Sequence, residues 1–215
     1  MTSYQEVNIV HDMAGNIVLD YEKDVTYIIN DGEELHLQII YPITQTQKQR
    51  TYPCIVYMMS TNEKKEEIYH NIPRLTQFAQ RGFVIALMEK PSENATYEEQ
   101  IYLLRSAVHY LNEHAETYNI SPENMFIWRD GSHKDHLSNT NLKDSSAQQT
   151  EYRTDIKAIV CFGEKEQMKM ICSQLNFTIP PILMLPCEEN ETSNLEFWTE
   201  DVFDIIEDYL INYIN

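Results

Sequence analysis

The side chains best suited to chemistry stand together in one short stretch. Asp130, Ser132, His133, Asp135 and His136 fall within residues 130–136. A serine hydroxyl beside imidazoles offers a nucleophile and a base, the parts of covalent catalysis. Asp130, His133, Asp135 and His136 are also metal-ligand types, but their spacing is not that of a closed site, and charged residues are common in exposed loops. Adjacent residues on a turn seldom point at one another, which weakens His133 or His136 as a base for Ser132. The blander reading is a polar loop with an ordinary serine.

The elements on either side must position this stretch. Met125, Phe126, Ile127 and Trp128 form an apolar run of the kind buried in a parallel sheet, and Asp130-Gly131 breaks it. Upstream, Tyr97, Ile101, Leu104, Val108, Leu111 and Ala115 step by four and three, which predicts a helix over 96–117, with Thr96 as its cap. Ser121-Pro122 predicts a turn between that helix and the strand. Further back, Cys54–Met59 and Phe83–Met88 read as buried strands. They flank a helix over 64–81 with Ile68, Ile72, Leu75 and Ala79 on one face, stopped by Gly82. Val25–Ile29 and Leu35–Tyr41 read as a hairpin around Asn30-Asp31-Gly32. Val7–Val10 and Ile17–Leu19 are weaker strand signals.

Downstream, residues 138–154 are rich in Ser, Asn, Thr and Gln and read as loop. Ile156–Phe162 restores a strand, 164–175 a short helix, and Ile182–Leu185 another buried strand. Leu195, Trp198, Val202, Ile205 and Tyr209 place an apolar stripe on a terminal helix beginning at Asn194. Strands alternating with helices through short connections predict an α/β fold with right-handed crossovers. The expected architecture is a three-layer α/β sandwich, its sheet mostly parallel with an N-terminal antiparallel hairpin. Residues 1–23 are expected to form an N-terminal arm or hairpin, and 24–215 a single domain.

Composition excludes several classes. Sixteen Lys and Arg against 34 Asp and Glu give a net charge of -18. That field repels phosphate backbones and anionic lipid, so neither nucleic acid nor a membrane is an expected partner. Residues 1–6 lack the basic and apolar regions of a signal peptide, and no apolar run approaches the roughly 20 residues of a membrane span. Cys54, Cys161, Cys172 and Cys187 form no C-x-x-C pair. They are expected to be reduced, in a cytoplasmic protein. No cofactor or resident metal is expected.

The order of elements from Asp24 to the C-terminus resembles the α/β-hydrolase family, above all its small esterase and lipase (carboxylesterase-like) branch. The matching phrases are Asp24 to Pro42, Ala79 to Ala86, Ala107 to Trp128 and Pro180 to Met184. The resemblance implies a hydrolase site with four parts. These are a serine on a G-x-S-x-G elbow, backbone donors from an H-G-G-G-like loop, an acid and a late histidine.

Each part departs from the pattern. Counted from Trp128, the nucleophile position falls on Gly131, and a one-residue insertion is needed to place Ser132 there. Asp130 and Lys134 then stand where small glycines belong. Met58-Met59-Ser60-Thr61-Asn62 replaces the glycine loop, so donors are hard to aim at an oxyanion. Glu188, Glu189 and Glu191 follow the last strand where an Asp is usual. None of the seven histidines, His11, His36, His70, His109, His114, His133 and His136, follows that loop. The fold is therefore expected to be shortened near its C-terminus and inactive as a serine hydrolase. Two alternatives stay open. One is an active carboxylic-ester hydrolase using Ser132 with His133, His136 or distant His70. The other is a ligand-binding or interaction module, self-association to a homodimer included, with the small-molecule ligand unknown.

Overall fold

Leu37, Ile39, Cys54, Ile55, Val56, Val84, Ile85, Ala86 and Phe126 are all without solvent exposure, which marks a sheet covered on both faces. The computed structural model describes residues 17–30, 32–43, 50–59, 68–89, 95, 97–129, 156–162, 180–185 and 198–214. Within these, seven strands form one sheet: β1 (Leu19–Asn30), β2 (Glu33–Pro42), β3 (Tyr52–Met58), β4 (Val84–Met88), β5 (Ile120–Arg129), β6 (Ile156–Phe162) and β7 (Ile182–Leu185). The strand order is β1-β2-β4-β3-β5-β6-β7. β1 and β2 are antiparallel to each other, β2 is antiparallel to β4, and all remaining neighbours are parallel. The helices are α1 (Ile68–Ala79), α2 (Tyr97–Glu113) and α3 (Glu200–Ile211).

Strand alternation divides the core into two layers. Cys54, Val56, Val84, Ala86, Met125 and Ile127 pack with Leu103, Leu104, Ala107, Val108 and Leu111 of α2. Ile55, Tyr57, Ile85, Leu87, Phe126 and Trp128 pack on the other face with α1 and α3. The chain steps from β3 outward to β4 and then back past β3 to β5. A constant right-handed crossover forces the helices of these opposite steps onto opposite faces. The expected three layers and the mixed sheet are thus both present.

Several local expectations change. Leu19 and Val25–Ile29 belong to one strand, while Ile17 and Val18 precede it. β1 runs continuously across the join expected between residues 23 and 24, with register shifts after Glu22 and Thr26. Asp24 takes the left-handed conformation (φ 55°) at the first shift, a bulge that lets the strand continue. Ser121-Pro122 does not end an element either. β5 begins at Ile120 and absorbs the proline through a register shift between Tyr52 and Cys54 of its partner. The Ser121 hydroxyl donates to Glu123 at 2.6 Å and accepts from the Asn124 amide at 2.9 Å, closing that irregularity.

The helix boundaries shift as well. α2 ends at Glu113 rather than 117, and turns lead to Asn119, whose φ is 56°. α3 begins at Glu200 with Thr199 as its cap, not at Asn194. Its buried face is Phe203, Ile206 and Leu210, while Ile205 of the expected stripe is 49% exposed. Trp198 of the expected stripe is buried, and Val202 and Tyr209 pack partly buried against the same core. The expected helix at 164–175, the weak strand Val7–Val10, the loop 138–154 and Thr96 lie outside the described residues.

Candidate active site

In open α/β sheets ligands bind beyond the carboxyl ends of the strands, where successive connections leave in opposite directions. Here that point lies between β3 and β5. The chain leaves β3 toward β4, and leaves β5 toward β6 on the other side. Met58 pairs with Arg129 across this gap and with Met88 on its other flank. β5 ends at this point with Arg129.

Ser132, His133 and His136 themselves lie outside the described residues, as do Asp130, Gly131, Lys134, Asp135, Ser60–Asn62 and the glutamates Glu188, Glu189 and Glu191. What can be placed is the floor and the flanks. Trp128, fully buried, is the last core-facing residue before Arg129. Its ring packs edge-on against Tyr57 and Phe78, at 5.9 and 5.3 Å between centroids, and lies 5.5 Å from Trp198. Arg74 of α1, also buried, donates to the Tyr57 hydroxyl and lays its guanidinium 4.2 Å above the Trp198 ring. This floor is aromatic and close-packed. Met59, at the start of the replaced glycine loop, is 8% exposed and packs into the same layer.

Four histidines are described, and they divide by location. His109 and His114 lie at the C-terminal end of α2, next to the chain that enters β5, hence at the opposite edge of the sheet. His109 Nε2 is 3.4 Å from Glu113, and His114 Nδ1 is 2.8 Å from the Tyr110 carbonyl. His70 is exposed on the first turn of α1. Only His36 sits at the carboxyl edge with an orienting carboxylate: its Nδ1 is 2.9 Å from Glu89 Oε2. His36, next to Leu37, is in register with the residue after Met88, three strand spacings from β5. At about 4.8 Å per strand that is ~14 Å from β5. The sequence reading did not single out this pair. Its signal is a polar residue between the buried Leu35 and Leu37, together with a glutamate closing β4.

Buried polar groups elsewhere serve packing. Burial pushes the Cys54 thiol up, which keeps it protonated and inert. Cys54 and Cys161 are buried as thiols, while Cys172 and Cys187 lie outside the described residues. Among the described residues, no three His, Cys, Asp or Glu side chains converge as a metal shell, and no helix is long and apolar enough to cross a membrane.

The sheet order and the crossovers define an α/β-hydrolase fold. Residues 37–185 match the BD-FAE family model, and the chain belongs to that family. The fold is similar to that of a thermophilic esterase from the Planctomycetes species Thermogutta terrifontis in its propionate-bound form. Identity there is 12%, the TM-score is 0.57, and the match covers 94% of this chain and 96% of that one. Thermogutta terrifontis esterase 2 phosphorylated by paraoxon aligns at 12% identity and a TM-score of 0.60, over 90% of this chain and 94% of that one. Such identities speak for the fold alone. No curated protein matches the chain in sequence.

Proposed function

We propose that this chain is an esterase-type α/β-hydrolase scaffold without serine-hydrolase activity. The observation that carries this reading is the link between β7 and α3. Only residues 186–199 join Leu185 to Glu200, and none of them is a histidine. In the family pattern the histidine follows the acid, so the base that would activate a serine has no place in this link. His36, the carboxylate-held imidazole of the carboxyl edge, stands ~14 Å from β5, which supports the same reading. Met58-Met59 in place of a glycine loop supports the same conclusion from the oxyanion side.

Hydrolysis of short p-nitrophenyl esters tests the reading. Purified protein is expected to match the uncatalysed rate, and Ser132→Ala to change nothing. Robust turnover that disappears in Ser132→Ala would refute the proposal and favour the rearranged esterase.

A further inference from the structure

We propose that His36 Nε2 and the Glu34 carboxylate form a two-residue site for a divalent transition cation of the Zn²⁺ type, with Glu89 orienting the imidazole. Metal-binding histidines characteristically give their second ring nitrogen to a carboxylate, which fixes the tautomer and the ring plane. His36 has this arrangement. Its Nδ1 meets Glu89 Oε2 at 2.9 Å, and the same oxygen accepts the His36 backbone N–H at 3.1 Å. The Glu89 N–H in turn donates to the His36 carbonyl at 3.0 Å. The Glu89 side chain is 10% exposed, so the orienting carboxylate is held firmly by both backbone and burial.

With Nδ1 against Glu89, Nε2 is the ring nitrogen left to face a cation. Glu34 Oε2 lies 3.6 Å from Nε2. That is too long for a hydrogen bond. Two ligands each about 2.0–2.1 Å from one Zn²⁺ need to be only a few tenths of an ångström closer. Glu34 is 60% exposed and can move that far. Thr26 Oγ1 donates to the same carboxylate oxygen at 3.3 Å and steadies it. The remaining coordination positions are open to water, so this is not a closed structural centre. Both ligands stand on β2, and the hydrogen bond from His36 to Glu89 links them to the carboxyl end of β4. The site is independent of the Ser132 elbow, so its failure would leave the proposed function untouched.

Isothermal titration of the full, tag-free chain with ZnCl2, together with NMR of the His36 ring, tests the proposal. Zinc binding is expected, with a metal-dependent shift at His36 Nε2. His36→Asn and Glu34→Gln should abolish binding at this site, and Glu89→Gln should weaken it by about 10–100-fold. Circular dichroism melts would show whether the variants fold. If His36→Asn does not, the wild-type ring resonances decide alone. An Nε2 resonance unmoved by zinc, or zinc affinity unchanged in folded His36→Asn or Glu89→Gln, would overturn the site.

Discussion

The indole of Trp198, one residue before the cap of α3, lies 5.5 Å from that of Trp128 at the end of β5. These are the only two tryptophans in the sequence, so tryptophan emission reports on the floor of the candidate site. Trp198 also contacts Phe162 and Phe203 and carries Arg74 on its face. Trp198→Ala should destabilise the fold by about 3–5 kcal/mol, the usual cost of deleting a large aromatic from a core. Urea unfolding followed by tryptophan emission measures this, and the remaining Trp128 should emit further to the red in the native state. A loss below about 1 kcal/mol would mean that α3 is held without this contact.

Arg81, just past α1, gathers three carboxylates of α3. Its Nη1 meets Asp204 at 2.6 Å and Glu207 at 2.5 Å, and its Nη2 meets Glu200. The guanidinium also lies over the Phe203 ring at 5.7 Å. The acids are exposed to differing extents, so each pair contributes modestly, but they share one partly buried cation. Arg81→Met is expected to cost about 1–2 kcal/mol in low salt and less at high ionic strength, where the wild-type network is itself screened. Thermal melts at two salt concentrations check both parts.

Gln38, buried on β2, holds the bulge of β1 in place. Its amide donates to Asp24 Oδ1 at 2.9 Å, and its oxygen accepts the Asp24 N–H at 3.2 Å and the Tyr21 hydroxyl at 2.7 Å. The Gln38 hydrogen bond, aided by Tyr69, holds the Asp24 carboxyl below its usual range. A folded pKa depressed below the unfolded value adds stability above the unfolded pKa, near 4 for aspartate, and loses it as pH falls through the folded pKa. Asp24→Asn should therefore lower the melting temperature at neutral pH and flatten its decline below pH 4. An unchanged acid slope would count against the assignment.

Much of the fold was legible because β4 and β7 are continuous apolar runs, β3 is one from Cys54 on, and β6 is one apart from Lys157. The hairpin and the crossovers followed from spacing. What escaped were features set by partners rather than by local pattern. Pro122 looks like a terminator until β3 supplies a register shift around it. On α3 the stripe held at Trp198, Val202 and Tyr209 but not at Ile205, which faces solvent while Phe203 and Ile206 take the core. His36 and Glu89 are 53 residues apart in sequence, so no local motif joins them. Only the strand order brings them into contact. The buried strand Met125–Trp128 was readable as a continuous apolar run, and it lies within β5.

The claim that the serine is unactivated has one direct probe. A fluorophosphonate should leave the intact mass of the folded protein unchanged, because it reacts at an appreciable rate only with a serine whose proton is being withdrawn. Stoichiometric mass gain, mapped by peptide sequencing to Ser132, would contradict the account.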